Sequence, residues 1–338
     1  MRIQFYNAKP WEKEYIEAKL KETGLNLETE YLNDHLDKDH LPPNREVEII
    51  SVFIGSVINK EVLDQLPSLK YIATRSTGYD HIDVNYAKTK NILVSNVPSY
   101  GENTVAEFAF GLILNLTRKI FQGCDQVKKT GSFSVESLQG FDLKGKTLGV
   151  VGTGRIGKHV IRMAKGFEMK VIAYDPFPNR EFQKTFEYEY FPLEEVLKQS
   201  DIVTLHVPYM KETHHLINAQ TIQLMKKGAY LINTARGPIV ETEALVKALK
   251  NGYLGGAGLD VLEEEGIIGE EVELILNGHP EEHNLKTVLA NHALFDMPNV
   301  LVTPHNAFNT REALEKILIT TIENIKGFLA NNPKNLVK

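Results

Sequence analysis

Short runs rich in Val, Ile, Leu, Tyr and Phe recur along the chain, separated by stretches whose apolar residues fall at i, i+3 and i+4. The short runs are RIQFY from Arg2, VEIISVFI from Val47, KYIATRS from Lys70, ILVSNV from Ile92, TLGVVG from Thr147, KVIAYD from Lys170, DIVTLHVP from Asp201, AYLINTA from Ala229, AGLDVL from Ala257 and VLVTPH from Val300. Helical spacing marks Lys60–Leu66, Glu102–Phe121, Ile156–Gly166, Leu193–Gln199, Ala219–Met225, Thr242–Leu249 and Arg311–Ala330. Strand and helix patterns that alternate in this way predict parallel sheets covered by helices, an α/β chain. LGVV and DIVTLHV are apolar on both parities, as strands buried on both faces must be. Two segments break the rhythm. Lys128–Lys144 is polar and Gly-bearing and is expected to be a loop. Glu263–Asp296 is acidic and too long for an ordinary strand connection, which points to a functional excursion.

Length and charge narrow the class. The 338 residues suggest two domains, and no tract is long and flexible enough to float one of them freely. The N-terminal residues carry no basic region followed by an apolar one, so they do not read as a signal peptide. The longest dense apolar run, Phe108 to Leu116, is about half a membrane span. Thirty-eight basic residues against 44 acidic ones, with no Lys/Arg stripe, argue against nucleic acid. The single cysteine, Cys124, cannot form an internal disulfide and shows no local sign of activation, so a buried structural role is expected. A cytoplasmic protein is expected, with neither membrane nor nucleic acid as partner.

Thr147–Asp175 carries the most specific signal. Strand TLGVV runs into Gly152-Thr-Gly154-Arg-Ile-Gly157, then a helical pattern, then strand KVIAY ending at Asp175. Strand, glycines, helix, strand and acid in this order, within about 30 residues, form a dinucleotide fingerprint. Gly152 permits the tight turn, Gly154 lets the backbone approach a pyrophosphate, and Gly157 lets helix pack on strand. The diphosphate is then expected at the helix N-terminus, where unpaired N–H groups favour an anion. Asp175 is placed to accept from a ribose diol and to repel a 2′-phosphate. The next arginine is Arg180, so NAD is expected rather than NADP.

Hydride chemistry needs a proton donor and a substrate anchor. Arg236 follows strand AYLI, Glu265 closes the run from Asp260 after AGLDVL, and His305 ends VLVTPH. In an open α/β sheet the crevice lies beyond the carboxyl ends of strands, where all three can meet. A guanidinium fork suits a carboxylate held in two hydrogen bonds. Each also has an ordinary explanation: a surface ion pair for Arg236, a solvated acidic run for Glu263–Glu265, and a strand cap for His305. Two further strings imitate metal sites. His279-Pro-Glu-Glu-His283 matches H-x-x-E-H, yet Pro280 sits where a helix is needed. His214 and His215 are adjacent, and adjacent side chains are expected to diverge. No metal is expected.

STGYDHID, NVPSYGENTVAE, GTGRIG with Asp175, HVPYMKETHHLIN, INTARGPIVE, GGAGLDVLEEE and TPHNAF occur in order over essentially the whole chain. With these blocks the sequence resembles the D-isomer-specific 2-hydroxyacid dehydrogenase family. Tyr100, the long excursion before His305 and TPHNAF most resemble its D-lactate dehydrogenase branch.

The resemblance implies a flavodoxin-like substrate domain from residues 1–100 and 300–338, into which a Rossmann NAD-binding domain, 101–299, is inserted, with a cleft between them. It implies a homodimer, with the helix from Glu102 contributing to the contact, and a small 2-oxo or 2-hydroxy acid as substrate. By resemblance Arg236, Glu265 and His305 are catalytic, with Asp260 as a supporting acid. Thr77, Gly78 and Tyr100 bind substrate. Gly152, Gly154, Arg155, Ile156, Gly157, Asp175, Val207, Pro208, Thr213, Thr234 and Ala235 contact the cofactor. His305 then gives a proton to the alkoxide formed as the carbonyl is reduced, while Arg236 holds the carboxylate and Glu265 holds the histidine.

Two positions depart from the D-lactate pattern: Thr213 stands where Asn is commoner, and Asn309 where Tyr is expected. They bear on substrate and not on reaction class. Glyoxylate or hydroxypyruvate reductase is the nearest rival, and an NAD(H)-sensing regulator is the non-enzymatic one. Formate dehydrogenases carry Gln in place of the relay acid, and phosphoglycerate dehydrogenases commonly have a further C-terminal domain.

Overall fold

The computed structural model describes residues 1–24, 27–268 and 284–337. They divide into two compact units, Met1–Gly101 with Asn309–Lys338, and Glu102–Phe308. Each is built on a parallel sheet.

The first unit holds β1 (Arg2–Tyr6), β2 (Glu28–Leu32), β3 (Ile49–Val52), β4 (Tyr71–Thr74) and β5 (Leu93–Ser95), in the order β2-β1-β3-β4-β5. Apolar residues on both parities of β1, β3 and β4 feed two separate cores. Ile3, Phe5, Ile49, Tyr71 and Ala73 pack with Ile16 and Leu20 of helix Pro10–Thr23 and with Leu318, Ile322 and Ile325 of helix Arg311–Leu329. On the other parity Tyr6, Ile50, Val52, Ile72 and Val94 pack with Val62, Leu63 and Leu66. β2 has no counterpart among the predicted strands. Its sequence ETEYL is mostly polar because it is an edge strand, pairing only with β1.

The second unit holds β6 (Thr147–Val151), β7 (Lys170–Tyr174), β8 (Glu189–Tyr190), β9 (Ile202–Leu205), β10 (Tyr230–Asn233), β11 (Gly256–Leu259) and β12 (Val300–Val302). Their order is β12-β11-β10-β9-β6-β7-β8. The direction of winding reverses between β6 and β9, the point where an open α/β sheet forms its ligand crevice. One face is covered by helices Glu102–Arg118 and Arg155–Gly166, through Ala106, Phe110 and Ile113 and through Val160, Ile161 and Ala164. Val196, Leu197, Leu245 and Leu249 cover the other.

Three details differ from the sequence-based expectations. β12 pairs with β11, so position 300 falls inside this sheet and the unit runs on to Phe308. The helix from Glu102 ends at Arg118, because Lys119 turns left-handed (φ 50°). A second helix, Ile120–Thr130, then occupies the start of the expected loop and leaves Cys124 exposed instead of buried. Part of the acidic excursion is regular too: Leu285–Phe295 is a helix, capped by the Asn284 side chain. His279 to His283 lie outside the described residues. No helix among the described residues is long and apolar enough to cross a membrane.

Candidate active site

The glycine turn after β6 is built for close approach. Gly152 has φ 94°, and a Cβ there would lie 2.6 Å from the His206 carbonyl oxygen. A Cβ on Gly157 would lie 2.1 Å from the Gly152 oxygen, so any side chain would push helix from strand. Gly154 is different. It is the N-cap of helix Arg155–Gly166, provides no side-chain cap, and a Cβ there would meet nothing within 4 Å. Arg155 and Ile156 are the first residues of this helix, the end at which a helix offers unpaired N–H groups to an anion.

Asp175 stands just past β7 with both oxygens engaged. Oδ2 accepts from the Thr153 N–H (2.7 Å) and hydroxyl (2.8 Å), and Oδ1 accepts from the Phe177 N–H (2.8 Å). An open glycine cradle on a helix N-terminus, followed by a fixed acid, fits the diphosphate and ribose of NAD. Val207 and Pro208 leave β9 beside the cradle, and Thr213 closes their turn by donating to the Pro208 carbonyl (2.7 Å) and accepting from the Met210 N–H (2.9 Å). Thr234 follows β10 with its hydroxyl oxygen buried and unpartnered, and Ala235 donates its N–H to Asn233 Oδ1 (3.0 Å). His206, at the same strand ends, has a buried Nδ1 without partner, and burial pushes its ring down to about 3.

The ends of β10, β11 and β12 carry the acid–base groups. His305 takes a left-handed conformation (φ 49°), and its N–H donates to the Asp260 and Thr303 carbonyls at 2.8 and 2.9 Å. The ring reaches back so that Nδ1 lies 2.7 Å from Glu265 Oε1. Glu265 Oε2 accepts from the Leu262 N–H (3.0 Å), which fixes the carboxylate to its own loop.

Asp260 anchors the histidine loop from below. It is 1% exposed; Oδ1 accepts from the Thr303 hydroxyl (2.6 Å) and the Asn306 N–H (2.8 Å), and Oδ2 from the Ala307 N–H (2.8 Å). Burial pushes this carboxyl up, against the pull of those three donors and of nearby His305.

Arg236 lies in the loop after β10; its carbonyl accepts from Asn233 Nδ2 (2.9 Å) and its Nη1 donates to the Ala235 carbonyl (2.7 Å). The neighbouring Gly237 lies flat against the loop that carries Glu265, since a Cβ there would sit 2.0 Å from the Leu262 carbonyl carbon.

Sequence patterns missed part of this site. Glu263 is not a solvated member of an acidic run. Its Oε1 lies 2.7 Å from His215 Nε2, and its Oε2 accepts from the Thr242 N–H (2.8 Å) and hydroxyl (2.7 Å). Nor do the adjacent histidines diverge. His215 is left-handed (φ 49°), which brings its ring over His214 at 3.9 Å between centroids. Thr303, two residues before His305, was a visible polar residue at a strand end without a partner assigned to it.

Thr77, Gly78 and Tyr100 belong to the first unit. The Thr77 hydroxyl donates to the Val97 carbonyl (2.7 Å), its carbonyl accepts from Asn96 Nδ2 (2.7 Å), and the Gly78 carbonyl accepts from Ser76 Oγ (2.6 Å). None of the hydrogen bonds among the described residues uses the N–H of Thr77 or Gly78. Tyr100 is half-buried.

A dinucleotide cradle and a histidine–carboxylate pair on one doubly wound sheet define an NAD-linked oxidoreductase. Residues 110–307 match the model of the NAD binding domain of D-isomer specific 2-hydroxyacid dehydrogenases. A 2-hydroxyacid dehydrogenase homolog of Zymomonas mobilis is 38% identical over 330 residues, covering 96% of each chain. A glyoxylate reductase of Thermococcus litoralis is 36% identical, again covering 96% of each. The structure of D-lactate dehydrogenase from Aquifex aeolicus complexed with NAD and lactic acid superposes with a TM-score of 0.84 at 38% identity, over 98% of this chain and 96% of that one. The chain belongs to the D-isomer-specific 2-hydroxyacid dehydrogenase family, oxidoreductases that act on CH–OH groups with NAD as cofactor.

Proposed function

We propose that the chain interconverts pyruvate and D-lactate, with His305, Glu265 and Arg236 as its catalytic residues. The observation that carries the acid–base assignment is the 2.7 Å contact between His305 Nδ1 and Glu265. With Nδ1 committed to a carboxylate, Nε2 is the nitrogen left for substrate. NADH supplies the hydride when bound. His305 gives its Nε2 proton to the oxygen of the reduced carbonyl, and in the reverse direction takes it from the hydroxyl. Glu265 balances the charge of the protonated ring throughout. Arg236 holds the substrate carboxylate in two parallel hydrogen bonds and stabilises negative charge developing on the neighbouring oxygen. Asp260 acts through the loop it ties down, keeping His305 in its left-handed turn. In the first unit, the N–H groups of Thr77 and Gly78 are donors suited to a carboxylate, and Tyr100 is assigned to the substrate's small side chain.

Similarity to the Aquifex aeolicus enzyme supports pyruvate; similarity to the Thermococcus litoralis enzyme supports a second reading, reduction of glyoxylate or hydroxypyruvate. NADH consumption by the purified protein on pyruvate, hydroxypyruvate, glyoxylate and 2-oxoisocaproate separates them. Highest kcat/KM on pyruvate with D-lactate as product is the expected outcome. Preference for glyoxylate or hydroxypyruvate moves the substrate and keeps the chemistry. NADH binding without turnover of any acid overturns the enzymatic reading in favour of a sensor. The homodimer belongs to the same proposal: Ile120, Phe121 and Val127 are exposed along helix Ile120–Thr130, and a monomer in sedimentation equilibrium would remove it.

A further inference from the structure

Asp175 is the end of a longer chain of hydroxyl groups. The Thr153 hydroxyl gives its one proton to the carboxylate, so its 2.8 Å contact with Tyr190 Oη is one in which the tyrosine donates. Tyr190 Oη in turn accepts from the Asn179 N–H (3.1 Å) and from Tyr188 Oη (2.7 Å). One ionised acceptor therefore orders three hydroxyls in series, Tyr188 to Tyr190 to Thr153 to Asp175, each polarised by the next. Burial of Tyr188 and its bond to Tyr190 push its phenol upward, so the outermost donor keeps its proton. β8 supplies the geometry. Tyr190 pairs with Ala173 of β7, two residues before Asp175.

The Tyr190 ring has a second neighbour. The Arg180 guanidinium carbon lies 5.4 Å from the ring centroid, and Nη1 donates to Gln183 Oε1 (3.0 Å). Arg180 is the first arginine after Asp175 and the group best shaped to grip a 2′-phosphate. A ribose diol offers protons to a carboxylate; a 2′-phosphate offers only acceptors and like charge. Rejecting it takes both a carboxylate that cannot swing away and a guanidinium that is occupied elsewhere.

We propose that Tyr190 is a positioning residue that sets the selectivity of this site for NAD over NADP, fixing Asp175 through its hydroxyl and retaining Arg180 on its ring. The test is titration of the purified full-length protein with NADH and with NADPH, followed by nicotinamide fluorescence with no 2-oxo acid present. Tyr190→Phe keeps the ring and breaks the chain. The ratio of NADPH to NADH dissociation constants should fall about 2–10-fold, through weaker NADH binding, the scale of one neutral hydrogen bond. Tyr190→Leu also releases Arg180, and the ratio should fall at least about tenfold further through tighter NADPH binding, the scale of one charge-assisted bond. Adding Arg180→Ala to Tyr190→Leu should abolish that gain.

Equal weakening of both cofactors, with the ratio as in the wild type, would mean that Tyr190 serves the fold alone and would overturn the proposal. A gain in NADPH binding that survives Arg180→Ala would overturn the part given to the arginine. Should Tyr190→Leu not fold, Tyr190→Phe decides by itself, since an unchanged ratio there is equally fatal.

Discussion

Asp260→Asn is the substitution that separates holding the histidine from doing its chemistry. The Asp260 carboxylate accepts from Thr303, Asn306 and Ala307, and every one of these donors lies within four residues of the next along the His305 loop. Asn keeps only one acceptor oxygen. Its best orientation leaves that oxygen on Thr303 and Asn306 and turns an amide N–H toward the N–H of Ala307. A buried donor left facing a donor costs about 1–3 kcal/mol, and two bonds reduced from charged to neutral strength lose about 1 kcal/mol each. The loss, about 3–5 kcal/mol, falls on the loop that sets the His305 backbone. A catalytic group displaced by about 1 Å can cost about 100-fold, so kcat for 2-oxo acid reduction should fall by about that factor. NADH affinity, read by fluorescence, should stay as it is, because the cradle lies on β6 and β7.

Acidification adds an independent check on this variant. Burial raises the folded carboxyl above its ordinary 3.8, so the folded protein takes up this proton before the unfolded chain does. Its contribution to stability is therefore largest below 3.8 and is lost as pH rises through the folded value. Asn does not titrate, so the stability gap between wild type and variant should widen on acidification. A kcat within twofold of wild type would refute the role given to Asp260. So would an NADH dissociation constant that rose in step with the loss of kcat.

Glu265→Gln replaces one acceptor 2.7 Å from His305 Nδ1 by an amide that can turn a donor toward the ring; kcat for 2-oxo acid reduction should fall by about tenfold or more while NADH affinity holds, and an unchanged kcat excludes the pairing. Arg236→Lys keeps a cation and loses the fork, so KM for the 2-oxo acid should rise by about tenfold or more while NADH affinity holds; an unchanged KM excludes the carboxylate anchor. His206 is held near 3 by burial against an ordinary 6.5, so it stabilises the fold fully above 6.5 and loses that contribution as pH falls toward 3. By pH 5 the loss is about 2 kcal/mol, which should appear as a shallower pH dependence of unfolding in His206→Gln.

What was legible in the sequence follows from what each pattern reports. Strands covered on both faces announce themselves, because every position must be apolar; LGVV and DIVTLHV needed no tertiary information. Two of the four edge strands do not. ETEYL and the two-residue β8 are half-solvated, their burial is set by a single neighbour, and nothing local distinguishes them from loop. Lys119 is a different failure: the apolar spacing continues through it, and only the left-handed backbone at one residue divides one helix into two. The glycine cradle was readable because glycine has few other reasons to recur at that spacing.

The site divides along the same line. Arg236, Glu265 and His305 stand at strand ends, where the position alone gives them a crevice to face. The groups that aim them were hidden, since each depends on a contact distant in sequence: Thr303 with Asp260, Gly237 against Leu262, Glu263 with His215 and Thr242. Glu263 shows why. Three consecutive glutamates look alike in composition, yet Glu264 between its neighbours is left-handed (φ 55°). Glu263 is sent to His215 and Glu265 to His305. One backbone conformation thus gives two adjacent-looking acids two different histidines. Substituting Glu264 by glycine, which favours that conformation at no steric cost, should therefore leave both pairs intact, whereas proline, confined to negative φ, should separate them.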